Sequence, residues 1–522
     1  MVRSVRKKFL PQMTRIGFSN FDWGAGAVSA LLLILSFPNF EYSLLAWIAL
    51  VPLLVAIAKR PSPLRAFILG WAVGSVFFYV TCYWLTYSMI HYGGLPTLLA
   101  YLLLIPGALV VGVFHGLFAL LVALALQKWG RMAILLAPIF WTALEWVRLE
   151  VTGQLWNALG YSQAFHNLVI EPASWGGVYA VSFLLVAINS AAALLIISRT
   201  KLSIAAALVI GFNVWFVIDS SKPSILDRRV EHPELAVKVV AVQPNVPMNL
   251  VKTAEETKAL IERHVSLSTQ GLSMPSYAEG PRIVIWPESP MNFTYSADKS
   301  FQQFVADFTR QNHTSLLFNS LEPAPNDGSY NSAMLVNEEG RLISQYDKIR
   351  LMPFGEYVPL PQWLPGASLI TAIVGEFTPG SNYTLMPFGD RKAGVFICIE
   401  SAYPWIARRL AHDGANVLIN ISNDGYLGPT AVMRQHLANA IFRAVENGRP
   451  VLRVTNTGLS ALITEHGHVH DLTEPFQADV RVWESHPGTP RDTFYTRHGD
   501  LFVHICTVIS LITFVALLRR KS

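Results

Sequence analysis

Three short segments carry residue types able to do covalent chemistry, each where a strand-like apolar run ends. In WPES at 286–289, β-branched residues end in Trp286 and Pro287 and deliver Glu288 just past the strand, where a carboxylate can be shielded from water and act as a base. In YDKIRLMPFGEYVP at 346–359, Lys348 and Glu356 flank a turn containing proline and glycine. In GVFICIES at 394–401, Cys398 lies in a strongly apolar strand ahead of a helix expected from Pro404. Taken singly, each has a plain structural reading: an exposed loop carboxylate, a surface ion pair, and a core cysteine. Glu400 and a polar turn at Ser401 follow Cys398, however, which puts the thiol at a strand-to-helix elbow. Such elbows expose a nucleophile and supply backbone N–H donors, here that of Ile399. A free thiol titrates near about 8.5, so it needs a neighbouring base at neutral pH. Glu288 is the candidate base, with Lys348 and the Ile399 N–H as candidate stabilisers of a developing oxyanion.

The elements that must position these groups alternate in type. Strand candidates are VKVVAVQPN from 237, RIVIWPE, SLLFNS, NSAMLVN, RLISQYD, AGVFICIE, NVLINISND, VLRVTNTG and SALITEHG. Helical patterns fall at about 252–271, Ser300 to Gln311, Pro404 to His412 and Met433 to Asn447. Residues 225–499 therefore read as an α/β layered domain with its chemistry at strand ends.

The rest of the chain is of another kind. Of 522 residues, 52% are hydrophobic and 14% charged, with a mean hydropathy of +0.37, unusual for a soluble protein. Crossing a bilayer takes roughly 20 apolar residues. Candidate spans lie near 24–40, 42–58, 66–90, 97–126, 131–149, 176–198, 202–218 and 501–518, about eight in all. Pro38, Asn39 and Glu41 separate the first two, which also read as a helical hairpin. This divides the chain into an N-terminal transmembrane domain (1–219), a water-facing domain (225–499) and a C-terminal transmembrane helix (500–522).

The net charge of +5 does not form a basic stripe for nucleic acid. Lys and Arg gather at alternate connections: the N-terminus (Arg3, Arg6, Lys7, Lys8, Arg15), Lys59 to Arg65, Lys128 and Arg131, Arg199 and Lys201, and Arg519 to Lys521. The positive-inside rule then puts both termini in the cytoplasm and the large domain outside it, in a bacterium the periplasm. Cys82 and Cys506 lie in apolar runs, so no disulfide framework is expected.

In order and spacing, WPES, YDKIRLMPFGEYVP and GVFICIES resemble the signature segments of the nitrilase, or carbon-nitrogen hydrolase, superfamily. With spans before and after that domain, nearly the whole chain resembles the apolipoprotein N-acyltransferase family. The resemblance implies a polytopic α-helical membrane domain joined to an αββα sandwich in the bacterial inner membrane. It implies a Glu288, Lys348, Cys398 triad with Glu356 and Glu400 as auxiliary carboxylates. It also implies no metal or other cofactor, a phospholipid acyl donor, and a diacylglyceryl-apolipoprotein whose N-terminal amine accepts the chain. SNDGYLGP at 422–429 and the segment from Arg434 also match, although Tyr426 stands where the family often has Trp. Tyr357, Tyr426 and Trp156 are candidate substrate contacts.

Other readings remain at this stage. A membrane-bound amidase or nitrilase would pass the acyl group to water with the same triad. A transporter or receptor would need intramembrane charge, for which only Glu145 and Arg148 offer themselves. Glu356 serves equally as an ion-pair partner that holds Lys348. His436, Arg443 and Glu446 read as packing residues of a helix. HGHVH at 466–470 reads as a solvated hairpin rather than a metal site. The loop from Arg148 to Trp175, with Glu150, Trp156, Asn157, Tyr161 and His166, suits either an interfacial aromatic belt or lipid binding.

Overall fold

The computed structural model describes residues 17–221, 236–248, 252–325, 328–353, 355–357, 377–485 and 491–519. The basic residues from Arg3 to Arg15, Arg520 and Lys521, and Phe354, Val358 and Pro359 of the second signature segment lie outside them.

Among the described residues six helices are long and apolar enough to cross a bilayer: Pro63–Thr81, Thr97–Trp129, Arg131–Thr152, Val178–Ile197, Lys201–Ser220 and Leu501–Leu518. Two apolar helical stretches, Asn20–Leu35 and Ser43–Lys59, are shorter. All eight expected segments are helical, but the first two form a shorter pair around Pro38. The span expected over 66–90 ends at Thr81 and resumes as Leu85–His91. Tertiary bonding accompanies the break, since Trp84 within it donates its indole N–H to Gln435 at 3.0 Å.

Pro63–Thr81 and Thr97–Trp129 cross closely because glycines line the contact. A Cβ on Gly70 would sit 2.5 Å from the His115 carbonyl oxygen, and one on Gly74 would sit 2.6 Å from the His115 ring. Small residues permit this approach where the surrounding lipid gives helices no hydrophobic drive to associate. Further contacts gather the basic connections at one end of the bundle. Arg65 pairs with Asp22 at 2.5 Å, Gln127 donates to the Pro61 carbonyl, and Ser203 reaches Met132 Sδ at 3.9 Å. Lys128 caps the last helix through the Ala516 and Leu517 carbonyls at 2.5 and 3.3 Å, satisfying acceptors left unpaired at a helix end.

Among the described residues, the remaining chain builds two six-stranded sheets. Val237–Gln243 (β1), Arg282–Ile285 (β2), Ser315–Pro323 (β3), Ser329–Val336 (β4) and Leu342–Asp347 (β5) form one, and Asp479–Ser485 (β12) closes it in the order β12-β1-β2-β3-β4-β5. Leu385–Phe388 (β6), Arg391–Ile397 (β7), Val417–Ser422 (β8), Val451–Thr455 (β9), Ala461–Ile463 (β10) and Val469–His470 (β11) form the other, ordered β11-β10-β9-β8-β7-β6. β6, β11 and β12 had no clear sequence signal; β12 joins by antiparallel pairing with β1 across more than two hundred residues.

The sheets face each other. Val237, Val239 and Ala241 of β1 pack with Val395 and Ile397 of β7 and Ile419 and Ile421 of β8, while Val240 and Val242 turn the other way toward Trp286, Val305 and Phe308. Burial on both faces explains the continuous apolar run of β1. Ala254–Ser273 and Lys299–Asn312 cover the first sheet; Pro404–His412 and Val432–Asn447 cover the second and share one core with the membrane helices. The result is an αββα sandwich with one helical layer set against the membrane domain. Local sequence starts these helices where expected: Thr253 and Glu256 form reciprocal caps at 3.1 and 2.7 Å.

Candidate active site

The sheet topology brings the three signature segments to one end of the sandwich. β2 and β5 run in the same direction, because β2 is parallel to β3 and two antiparallel pairings return β5 to that sense. Glu288 follows β2 and Lys348 follows β5, so both leave the same edge, while Cys398 leaves the end of β7 in the facing sheet. Side groups at such strand ends share a crevice.

Lys348 is buried and lies 3.6 Å from Glu288 and 2.9 Å from Glu356. Burial opposes its charge, yet Glu356 and Glu288 outweigh that penalty and hold the ammonium well above the usual lysine range. Glu356 also accepts from the Met352 N–H at 2.7 Å. Asn331, which sequence reasoning missed, donates to both carboxylates at 2.8 Å, and Asn319 fixes its amide by donating to its oxygen at 2.7 Å. The available signal was a polar side chain on the strand face that Ala333 and Leu335 turn to the core. Replacing Asn331 with Leu removes two bonds to charged groups, each worth about 1.5–3 kcal/mol. If Cys398 is the nucleophile, the expected result is a fall of roughly tenfold or more in the rate of its reaction with substrate, read in a single turnover; an unchanged rate would show that Asn331 orients nothing.

Cys398 adopts φ +52°, a left-handed backbone conformation that disfavours L side chains by about 1–2 kcal/mol. Two buried carboxylates stabilise the elbow. Glu400 accepts from Ile397 N at 2.7 Å within the elbow and from Ile349 N and Arg350 N at 2.7 and 3.0 Å in the Lys348 loop. Tyr346 adds its hydroxyl at 2.9 Å. Burial, against the pull of the Ile397 and Arg350 N–H groups, pushes the Glu400 carboxyl up to about 7. On the other side His436 lies 2.9 Å from the Cys398 carbonyl oxygen and 2.7 Å from Asp424, which also accepts from Arg453 at 2.8 Å. Burial works against the Asp424 charge, but Arg453 and His436 hold it well below the usual carboxylate range. For the thiol, burial and then the charge on Glu288 push its ionisation well up, while Lys348 pulls the other way.

Cys398 and Ile399 border a narrow, mostly apolar recess whose walls include Trp84, Trp156, Tyr426, Leu427 and Val432. Trp84 and Trp156 come from the membrane domain, and Tyr426 stacks on Tyr92 of that domain at 5.1 Å. Of the candidate substrate contacts, Trp156 and Tyr426 line this recess, whereas Tyr357 stands apart and exposed.

Several other side chains hold structure. Trp156 and Tyr161 are buried against Val432–Asn447 rather than forming an interfacial belt. Arg443 joins Glu446 at 2.8 Å, Tyr161 at 3.1 Å and the Ser401 carbonyl at 3.0 Å. Glu145 accepts from Trp141 and Leu159, and Arg148 donates to the Trp156 carbonyl at 2.7 Å, so both intramembrane charges are engaged in packing. In the HGHVH run, the turn returns the chain from β10 to β11 and His466 meets Glu171 at 2.7 Å.

Residues 29–191 match the family model for the apolipoprotein N-acyltransferase N-terminal domain, and residues 238–484 match that for carbon-nitrogen hydrolase. Among solved structures, an amidase from Nesterenkonia sp. AN1 aligns over 53% of this chain and 98% of its own, with 15% identity and a TM-score of 0.38. The apolipoprotein N-acyltransferase of Brucella melitensis is 29% identical, with 94% of each chain covered. That of Geobacter metallireducens is 32% identical, with 96% of each chain covered. With both models matched in order and a 32% identical relative aligned over 96% of both chains, the chain belongs to the apolipoprotein N-acyltransferase family.

Proposed function

We propose that this multi-pass membrane enzyme moves a fatty acyl chain from a phospholipid to the α-amino group of the S-diacylglyceryl cysteine that begins an apolipoprotein, by way of a thioester on Cys398. The observation that carries this reading is the Glu288, Lys348 and Cys398 cluster beside an apolar recess walled partly by the membrane domain. Water-soluble substrates would need neither those walls nor the apolar helices.

In the first half-reaction Glu288 takes the thiol proton as Sγ bonds to the ester carbonyl carbon. Lys348 and the Ile399 N–H receive the negative charge on oxygen. The ester C–O bond then breaks, and Glu288 returns the proton to the leaving lysophospholipid oxygen. In the second, the acceptor amine attacks the thioester carbon, Glu288 takes the amine proton, and the C–S bond breaks as Glu288 passes that proton to sulfur, restoring the thiol and the free carboxylate. Glu356 holds Lys348, and Glu400 holds the elbow and the Lys348 loop together. Tyr357, exposed on the surface, is assigned to the acceptor's path.

We place the membrane domain at 1–219, the catalytic domain at 225–499 and the closing helix at 500–522. The basic connections share one end of the bundle, which supports a cytoplasmic position for both termini and a periplasmic catalytic domain.

Both substrates react in turn at one nucleophile, so initial rates should follow ping-pong kinetics. Double-reciprocal plots with phospholipid varied at several concentrations of a diacylglyceryl-cysteine peptide are expected to be parallel; intersecting lines would remove the covalent intermediate. Acyl label released as free fatty acid rather than N-acyl peptide would instead assign the chain to the hydrolases.

A further inference from the structure

Gln435 sits on the Val432–Asn447 helix beside His436, yet its side chain points away from the elbow and into the membrane domain. It is buried, at 3% exposure, and four hydrogen bonds engage its amide. Its oxygen accepts the indole N–H of Trp84 at 3.0 Å and that of Trp156 at 2.7 Å. Its nitrogen donates to the Thr81 carbonyl at 3.0 Å and the Pro38 carbonyl at 3.3 Å. The two indoles lie 5.3 Å apart at 56°, and both face the recess that opens on Cys398.

We infer that Gln435 is a positioning residue that sets acyl-chain selectivity, by holding Trp84 and Trp156 in one fixed pair of orientations. The chemistry follows from what a buried primary amide can do. One carbonyl oxygen has two lone pairs, and here each meets an indole N–H. The two donors on nitrogen meet main-chain acceptors at the breaks on either side, after the Asn20–Leu35 and Pro63–Thr81 helices. No single-bond anchor would fix both rings together. Large aromatic side chains with locked rotamers make a recess of defined shape, and a shape of that kind discriminates among apolar chains. The acyl chain of a Cys398 thioester leaves the sulfur beside these rings, so its length and its bends are read there. Because the tryptophans belong to the membrane domain and the amide to the catalytic domain, the wall is complete only when the two are docked.

This inference rests on Cys398 being the acylated residue, and the experiment separates the two. Full-length protein in detergent is supplied with phosphatidylethanolamines bearing lauroyl, palmitoyl or oleoyl chains, and hydroxylamine-sensitive acylation of Cys398 is timed by mass spectrometry for the wild type, Gln435→Met and Trp156→Phe. In parallel, Cys398 alkylation by iodoacetamide reports whether the elbow is intact. Acylation of the wild type by none of the donors would defeat the thioester reading itself. The expected result is that both variants change the palmitoyl-to-lauroyl and palmitoyl-to-oleoyl rate ratios by about fivefold or more, while alkylation stays within about twofold of wild type. Combining the substitutions should add little to either alone, since each breaks the same clamp. Ratios equal to wild type in either folded variant, with only the overall rate lowered, would overturn the role in selectivity. If Gln435→Met does not fold, Trp156→Phe decides the matter by the same ratios.

Discussion

Cys398→Ala is expected to abolish acyl transfer while leaving a folded membrane protein. The side chain ends beside the apolar core between the sheets, and among the described residues it makes no bond that supports the elbow; the carbonyl that His436 meets and the Glu400 bonds belong to backbone that alanine keeps. Loss of a nucleophile that acts in concert with a base removes on the order of 10⁴-fold or more in rate. With phospholipid labelled in its acyl chain, the wild type should carry hydroxylamine-sensitive label that moves onto the amine of a diacylglyceryl-cysteine peptide, and the variant should carry none. Label retained on the alanine variant would place the thioester elsewhere or remove it from the mechanism. Cys82, at the end of Pro63–Thr81, and Cys506, in Leu501–Leu518, lie on apolar helices outside the elbow and provide internal controls.

Glu288→Gln is expected to move two reactivities of the same thiol in opposite directions. Acyl transfer should fall about 10²–10⁴-fold, because the amide accepts no proton from sulfur or from the incoming amine. Alkylation of Cys398 by iodoacetamide at pH 8.5 should become faster. The sign follows from charge: burial and Glu288 both push the thiol's ionisation up, and removing the negative group leaves Lys348 to favour the thiolate. In the wild type, alkylation should therefore keep rising with pH through the neutral and alkaline range, without the neutral plateau of a preformed thiolate. Unchanged acyl transfer would show that Glu288 is not the base, and a parallel fall in alkylation would show that the substitution disturbs the elbow instead.

Much of this was legible because some physics is local. Apolar runs of bilayer length become helices whatever lies beside them, since lipid offers backbone groups no partners, and all eight such runs are helical here. Asp298 before Lys299–Asn312 and Pro404 opening its own helix mark their boundaries by short-range bonding and geometry. The alternation of strands and helices likewise announced an α/β domain, and the elbow was signalled by an apolar strand that ends at a reactive residue ahead of a helix.

What escaped was whatever depends on two distant segments meeting. β12 lacks a distinctive pattern and is a strand because β1 offers it an edge. The helix Val432–Asn447 is rich in polar residues that normally face water, yet nearly all of it is buried between the second sheet and the membrane helices. His436, Arg443 and Glu446 could be read only as packing residues of a helix, and nothing in the sequence singled out Gln435. Asn331 reads as an ordinary strand residue until Glu288 and Glu356 arrive on either side of its amide. The sequence by itself determined the apolar helices and the layered α/β class, because these follow from hydropathy and periodicity, and its three ordered segments marked Glu288, Lys348 and Cys398 as candidates. Only the tertiary structure decided what orients those side chains and what walls the recess beside Cys398. A buried polar side chain has no meaning until its partners are known, and here those partners come from segments tens to hundreds of residues away.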